Sequence, residues 1–305
     1  MSAKIVLVLV LSWLSPVLLA QNPCGVIVNE LDEPIPYAVL YVKVPTPDGV
    51  YASEDGSYCL ALRSETDSVY ITCIGYQAKT WSVQEFRQHD TIRLEKVAIK
   101  LEEVVVKRRS HRVKENELGY AARSTPLKYS VNSGTTLVTY IPNEKHTSAQ
   151  ILSLTYAIQP RTRMKKVLEP LSYRLALYLY ADENGQPGRN LVPEPFMVTI
   201  SNQDKTIRYS VEPYGIDFPE RGVWVGLACV GYVDVDSVYY GVGDSRKFTR
   251  YSGDKLPVIS PLVPVLKSAP GPSLRSTWNG AWKPFMWAKN RPGTLCFGVT
   301  VGRVS

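Results

Sequence analysis

The histidines and cysteines of this chain are the residues best suited to metal binding or nucleophilic chemistry. They are His89, His111, His146, Cys24, Cys59, Cys73, Cys229 and Cys296. No histidine is followed three positions later by glutamate, and no cysteines form a C-x-x-C pair, so the usual spacings of zinc ligands are missing. The motifs G-x-S-x-G, H-E-x-x-H and G-x-x-x-x-G-K are also missing from the sequence. The sequence therefore predicts no catalytic residue, metal or cofactor, although a Ser-His-Asp triad assembled in space stays open.

A group of aromatic residues near position 280 is the sharpest candidate for ligand binding. Flat indole faces can stack on sugar rings while neighbouring polar groups bond the hydroxyls, which suggests a glycan or peptide site. Asn279, Lys283 and Lys289 would supply those polar groups. The alternative is that the aromatic side chains fill a core, since Gly280 and Pro284 imply a folded loop that needs anchoring. The candidate residues are Trp278, Trp282, Phe285 and Trp287.

The odd number of cysteines leaves at least one thiol unpaired unless two chains are cross-linked. Cys59 and Cys73 fall in neighbouring predicted strands, so they are candidates for a disulfide in an oxidising compartment. Each also fits as a small buried apolar residue. Both interpretations stay open at this point.

Alternating polarity predicts that strands carry most of these residues. Apolar side chains recur at every second position across 69–73 and 175–180, which is the period of a half-buried strand. Only two short helices are predicted, at Val83 to Gln88 and at Thr147 to Leu154. Three turns are predicted at Asp48-Gly49, Asp55-Gly56 and Asn184-Gly185. The chain is therefore predicted to be all-β.

The spacing of Asp182, Asn184 and Gln186 is similar to that of the first ligands of a calcium loop. An EF-hand loop needs glycine at its sixth position and glutamate at its twelfth. This chain has Pro187 and Pro193 there. The sequence therefore favours a hairpin turn over a calcium site.

The first twenty residues resemble a secretory signal. Lys4 precedes a short apolar stretch, and Leu18-Leu19-Ala20 is a suitable cleavage site, so we expect residues 1–20 to be removed and the mature chain to begin at Gln21. No later segment approaches about 18 uninterrupted apolar residues, so no transmembrane span is expected in the mature chain. We expect an exported protein that is periplasmic, associated with the outer membrane, or extracellular.

The formal net charge of +7 is mild and partly local. Two basic runs lie at 107–114 and 161–166, and each is best explained as a solvated linker or a charged strand edge. Neither run has the interleaved aromatic residues that nucleic-acid binding favours. We therefore expect no nucleic-acid partner.

Five short segments between residues 24 and 94 form a recognisable set: Gly25-Val26-Ile27-Val28, Pro34-Ile35-Pro36-Tyr37-Ala38, Asp55-Gly56-Ser57-Tyr58, Ile74-Gly75-Tyr76 and Thr91-Ile92-Arg93-Leu94. Together they resemble the carboxypeptidase-regulatory-like domain, which is abundant in exported proteins of the Bacteroidetes. The resemblance implies a seven-stranded, transthyretin-like β-sandwich over residues 21–96. It implies no peptidase activity for this chain, because the histidines lack the zinc-ligand spacing.

The segment that follows also looks like part of larger family members. In those proteins the domain precedes a TonB-dependent transporter and is followed by a similar acidic and valine-rich stretch. This chain is too short for the plug and barrel, so we expect either an inherited terminal strand or a strand donated to a partner. The segment consists of Leu101, Glu102, Glu103, Val104, Val105 and Val106.

Residues 97–130 are predicted to be an extended segment and a basic connector, and residues 131–305 a second β-sandwich. The second half resembles, more loosely, the C-terminal half of many short exported proteins that carry the same N-terminal domain. Tyr173 to Leu191 and Tyr214 to Leu227 carry that resemblance. It implies a jelly-roll-like fold and no established activity.

We therefore expect a non-catalytic, exported cell-envelope protein that binds or assembles with a glycan or an envelope protein. The alternative is a glycan- or peptide-directed hydrolase whose site lies in loops of the C-terminal domain. Acidic residues converging in a cleft would favour the hydrolase. A flat aromatic face would favour binding.

Overall fold

The computed structural model describes residues 22–43, 48–62, 68–73, 75–97, 114–123, 125–144, 148–159, 171–192, 195–233, 237–240, 249–252, 260–267, 271–278 and 281–303. Nearly all regular structure in these ranges is β-strand, so the all-β prediction is confirmed. The strands form two sandwiches with separate apolar cores. The predicted signal segment at 1–20 and the predicted strand-donating segment at 101–106 lie outside the described residues.

The N-terminal sandwich contains seven strands, as the resemblance implied. A three-stranded sheet in the order β4-β1-β7 faces a four-stranded sheet in the order β3-β2-β5-β6. Ile27, Leu40, Ile71 and Ile92 are fully buried between them. The elements are β1 (Cys24–Val28), β2 (Val39–Val42), β3 (Asp48–Tyr51), β4 (Ser57–Cys59), β5 (Ser68–Thr72), β6 (Lys79–Ser82), α1 (Val83–Phe86) and β7 (Thr91–Arg93).

The disulfide pairing differs from the one considered from the sequence. Cys24 on β1 is bonded to Cys59 on β4, and these residues lie opposite each other in the antiparallel register. Because Cys59 is bonded to Cys24, the candidate disulfide between Cys59 and Cys73 is wrong. The sequence could not show this, because β1 pairs with β4 across 35 residues of chain.

The C-terminal sandwich packs a seven-stranded sheet against a four-stranded one. The larger sheet has the order β13-β12-β16-β10-β20-β21, with β14 also paired to β12, and the smaller has the order β15-β11-β25-β8. Tyr156 of the smaller sheet is fully buried, and its hydroxyl donates to the carbonyl of Gly226 in the larger sheet at 3.0 Å. The two sheets therefore share one core.

The strands of this sandwich are β8 (Lys114–Gly119), β9 (Lys128–Ser130), β10 (Thr135–Ile141), β11 (Gln150–Ala157), β12 (Ser172–Glu183), β13 (Gln186–Asn190), β14 (Phe196–Ser201), β15 (Thr206–Ser210), β16 (Val223–Val233), β17 (Ser237–Tyr240), β18 (Thr249–Ser252), β19 (Leu262–Leu266), β20 (Ser273–Thr277), β21 (Lys283–Pro284), β22 (Met286–Ala288), β23 (Arg291–Pro292), β24 (Thr294–Leu295) and β25 (Phe297–Arg303). A 3-10 turn lies at Glu212–Tyr214.

Three local predictions are wrong. The helix expected over residues 147–154 is contradicted by β11, where Ile151 and Leu154 are buried against the core while the strand pairs with β15 and β25. The expected connector to residue 130 is interrupted by β8 and β9, which pair with β25 and β19. Asp48-Gly49 opens strand β3 rather than forming a turn.

Candidate functional site

Strand β12 presents two different surfaces along its length. Its odd-numbered residues from Tyr173 to Leu179 are buried in the core, because side chains alternate along a strand. Its even-numbered residues therefore lie on the outer face of the seven-stranded sheet. Tyr178 and Tyr180 are neighbours on that face, and their rings stack with centroids 5.6 Å apart.

Cross-strand pairing extends this surface over the two next strands. Tyr180 lies opposite Trp224 of β16, and Trp224 lies opposite Tyr140 of β10. The rings of Trp224 and Tyr140 are 5.1 Å apart between centroids, and Trp224 is fully buried. Such ring contacts contribute about 1 kcal/mol each beyond the area they bury. We call Tyr140, Tyr178, Tyr180 and Trp224 the aromatic face.

Asp182 fixes the indole of Trp224 at the end of the aromatic face. One carboxylate oxygen of Asp182 accepts a hydrogen bond from Trp224 Nε1 at 2.8 Å, and the other accepts from the Gly185 amide at 3.3 Å. The hairpin between β12 and β13 turns at Asn184 and Gly185, which both have left-handed backbone angles, with φ of 57° and 78°. The favoured hairpin turn is thus confirmed here.

The N-terminal sandwich covers one end of the aromatic face. The ring of Tyr51, on β3, lies 5.2 Å from that of Trp278. Burial, followed by the nearby Tyr178, raises the pKa of Tyr51 well above its usual value. At the same boundary Arg174 lies 3.6 Å from the Glu54 carboxylate, and its guanidinium sits 5.5 Å from the centre of the Tyr37 ring.

Burial also keeps the tyrosine hydroxyls of this surface protonated. It raises the pKa of Tyr178 to about 12 and that of Tyr180 well above its usual value. For Tyr140, burial is the largest cause of a raised pKa, and the nearby Asp182 carboxylate adds to it. These hydroxyls therefore remain hydrogen-bond donors across the neutral range.

A surface cleft of about 470 Å³ opens at the uncovered end of the aromatic face. It lies where β10 ends, beside Asp182 of β12 and the turn that leads into β16. The hydroxyl of Tyr140 donates to the Arg221 carbonyl, and Asn143 Nδ2 donates to the Pro219 carbonyl at 3.2 Å. These bonds hold the two loops together. The lining residues are Tyr140, Pro142, Asn143, Glu144, Asp182, Glu220 and Arg221.

The cleft brings three carboxylates and one guanidinium beside the ring of Tyr140, the one aromatic residue among the described residues that line it. Both carboxylate oxygens of Asp182 already accept hydrogen bonds, from Trp224 and Gly185, so this side chain stabilises the fold. Glu144, Glu220 and Arg221 are exposed to solvent. Carboxylates, amides and guanidinium groups are the usual partners of sugar hydroxyls, and an aromatic ring can cover a sugar face. The arrangement is suited to recognising a polar molecule with flat apolar faces.

The four aromatic residues singled out from the sequence do not form one surface. Phe285 is 1% exposed and points into the core, where its ring meets Tyr129 edge to face. Trp278 contacts Tyr51 at the boundary between the sandwiches. Trp282 is half-buried, and its ring meets Tyr180 edge to face at 5.9 Å. Trp282 is therefore the one of the four that contacts the aromatic face directly.

Trp287 occupies a separate place, on the short hairpin of β22 and β23. Its half-buried ring packs against the core of the C-terminal sandwich. Lys267 and Arg291 approach the same ring at 5.6 and 5.7 Å from its centre. This position separates Trp287 from the residues that line the cleft.

Apart from Asp182, which the sequence analysis assigned to a hairpin turn, the residues that line the cleft were not singled out from the sequence. The alternation over 175–180 was sufficient to place Tyr178 and Tyr180 on one side of a strand. It carried no information about Tyr140 and Arg221, which approach the cleft only through the pairing of β10 with β16. Long-range register of this kind has no local signal.

Metal-ligating residues are dispersed in the part of the chain that the structure describes. Within those ranges no group of three or more histidine, cysteine, aspartate or glutamate side chains is placed to hold a metal ion. His89 lies beside Trp81, with ring centroids 5.1 Å apart, while His111 and His146 fall outside the described residues. No helix in the described ranges is long and apolar enough to cross a membrane.

Comparison with known protein families identifies a domain in the N-terminal part of the chain. A family model described as the CarboxypepD_reg-like domain matches residues 24–106. The chain thus carries a CarboxypepD_reg-like domain, and the matched range includes every strand from β1 to β7. No curated protein matches this chain.

Proposed function

We propose that this chain is an exported cell-envelope protein of the Bacteroidetes type that binds a glycan without catalysing a reaction. The observation that carries the proposal is the cleft beside Tyr140, where one aromatic ring adjoins exposed carboxylates and a guanidinium. The signal-like first twenty residues and the disulfide between Cys24 and Cys59 support export, because disulfides persist in oxidising compartments.

Within this proposal the N-terminal domain serves as a support for the binding domain. It covers the Tyr178 end of the aromatic face through Tyr51 and leaves the Tyr140 end open. Trp282 contacts the Tyr180 ring and does not line the cleft, so we expect only a glycan of several residues to contact both Tyr140 and Trp282. A single sugar bound in the cleft would not reach Trp282.

The test is titration of the mature protein with short and long envelope glycans, followed by calorimetry. We expect Tyr140→Ala to weaken binding of every ligand by about fivefold to tenfold, since an aromatic contact contributes about 1 kcal/mol. Trp282→Ala should weaken only the longer ligands. Trp81→Ala, which removes a half-buried tryptophan of the N-terminal sandwich, is the matched control.

Thermal melting of each variant separates lost binding from lost folding. If Tyr140→Ala binds as tightly as the natural sequence while remaining folded, the cleft is not the glycan site. If no glycan binds to the natural sequence, the proposal fails and assembly with an envelope protein becomes the better hypothesis.

A glycan hydrolase is the second candidate, because carboxylates from three places in the chain converge in the cleft. The general acid of a glycosidase is usually a carboxyl group in an apolar pocket, whereas Glu144 and Glu220 are exposed. Release of reducing sugar that falls by about a hundredfold or more in both Glu144→Gln and Glu220→Gln would establish the hydrolase instead. Binding that persists in these variants without turnover supports the non-catalytic function.

A further inference from the structure

Residues 255–305 carry a net positive charge, because they include basic residues and no acidic ones. From position 255 to 305 the sequence has seven lysines and arginines and no aspartate or glutamate. Two are Lys255 and Arg303, and a third, Arg275, lies on β20. The other four are Lys267, Lys283, Lys289 and Arg291, which surround the hairpin of β22 and β23.

The structure brings these four cations together from separate parts of the chain. Lys267 follows β19, whereas Arg291 opens β23, yet both approach the Trp287 ring within 6 Å of its centre. Lys289 lies in the turn of the hairpin beside Asn290, which has a left-handed φ of 56°. All four cations are exposed, and none of them takes part in the ion pairs found between described residues. Their positive charge is therefore not neutralised within the described part of the fold.

The outward side of the same hairpin is apolar. Met286 is paired with Pro292 in the register of β22 and β23, and it is 37% exposed, one of the most exposed large apolar side chains among the described residues. Pro284 and Pro292 are also exposed. We call residues 283–292 together with Lys267 the basic hairpin. An apolar tip enclosed by cations is the arrangement found in segments that lie at a membrane surface.

We infer that the basic hairpin docks the protein onto an anionic phospholipid surface. The cations contact lipid phosphates, while Met286 and the adjacent prolines enter the interfacial region. A soluble acidic polysaccharide fits less well, because Met286 offers it no hydrogen bond. The Trp287 ring, which could stack on a sugar, is occupied by the core on one side and by cations around it.

Cosedimentation with lipid vesicles tests this inference. The protein should bind vesicles of phosphatidylcholine mixed with phosphatidylglycerol, bind poorly to phosphatidylcholine alone, and dissociate as salt is raised. A cation near an anionic surface contributes about 1 kcal/mol, or about fivefold in affinity. Lys283→Gln with Lys289→Gln should therefore weaken binding roughly 25-fold. Adding Arg291→Gln should weaken it by about a hundredfold.

The control removes equal charge elsewhere through Lys96→Gln, Arg189→Gln and Lys205→Gln, which replace exposed cations outside the basic hairpin. Met286→Ser should reduce the binding that survives at high salt. The double lysine variant leaves Trp287 and its two cations intact, so its folding should be unaffected. Equal losses in the control variant would overturn the inference, as would equal binding to both vesicle types. Binding to a soluble acidic polysaccharide but not to vesicles would overturn it as well.

Discussion

Cys229 and Cys296 are small apolar residues in the core of the C-terminal sandwich. Burial raises the pKa of the Cys229 thiol to about 12 and that of the Cys296 thiol to about 11. The thiolate is the nucleophile, so neither cysteine is reactive while the sandwich is folded. Cys73 is half-buried, and Cys24 and Cys59 are joined to each other.

This difference predicts the order in which the thiols react with a disulfide reagent. In the native protein we expect at most one thiol, that of Cys73, to react near neutral pH. In denaturant three should react, because unfolding returns Cys229 and Cys296 to their usual pKa. Cys73→Ser should abolish the native reaction, whereas Cys229→Ser should lower only the denatured count. Three reactive thiols in the folded protein would contradict the burial of these residues.

At the residue scale, the sequence identified side chains that could bind a ligand but did not show where the fold places them. It singled out Trp278, Trp282, Phe285 and Trp287 because they are close in the chain. A strand sends successive side chains to opposite faces, so Phe285 entered the core while Met286 faced solvent. The distribution of the four residues among four different environments depended on pairing partners that no local pattern specifies.

At the element scale, two glycines share a left-handed backbone conformation but differ in how tightly neighbouring atoms pack around them. Gly134, before β10, has a φ of 75°, and a Cβ built there would lie 1.9 Å from the Trp278 ring. Gly185, between β12 and β13, has a φ of 78° and would meet nothing within 4 Å. The two positions share the left-handed backbone and differ in the space around it.

The pair therefore allows a matched comparison. Gly185→Ala should reduce the free energy of unfolding by about 1 kcal/mol, which is the cost of alanine in the left-handed region. Gly134→Ala should cost roughly 2 to 4 kcal/mol, because the methyl group must also displace Trp278. Chemical denaturation measures both. Equal losses would show that Trp278 does not pack against this turn.

The sequence predicted strands where polar and apolar side chains alternate. It missed strand β8, where most side chains are charged or polar. The alternation over 69–73 and 175–180 corresponds to β5 and β12. Strand β8 was assigned to a connector because its side chains are mostly polar. In the structure Glu115 and Glu117 of β8 contact Arg208 of β15, at 3.3 and 3.6 Å, across the outer face of the smaller sheet. Both faces of that strand therefore have partners that only the tertiary fold supplies.

At the scale of the whole molecule, the two sandwiches are joined through side chains from β3 and from the segment after β20. Tyr51 and Trp278 make the aromatic contact of this boundary, and Arg174 adds contacts to Glu54 and Tyr37. The exposed ion pair contributes little by itself, since Glu54 is largely in solvent. We therefore expect the aromatic contact to contribute more to the coupling between the domains than the ion pair does.

A double-mutant cycle tests that coupling. Tyr51→Ala and Trp278→Ala should together destabilise the protein by about 1 kcal/mol less than the sum of the single variants, because each removes the same ring contact. Trp81→Ala combined with Trp278→Ala should be additive, since β6 lies three strands away from β3 in its sheet. Additivity in both pairs would mean that the domains are energetically independent.

Strand β1 lies between β4 and β7, and it pairs with β7 in parallel. Ile27 on β1 is therefore fully buried only after β7, the last strand of the domain, has paired with β1. Contacts between residues so far apart in the sequence form slowly. During synthesis, a chain that has not yet emerged past Arg93 has one side of β1 without its partner. The domain should therefore complete its folding only after Arg93 is available to pair with β1, and chains truncated before Thr91 should remain sensitive to protease.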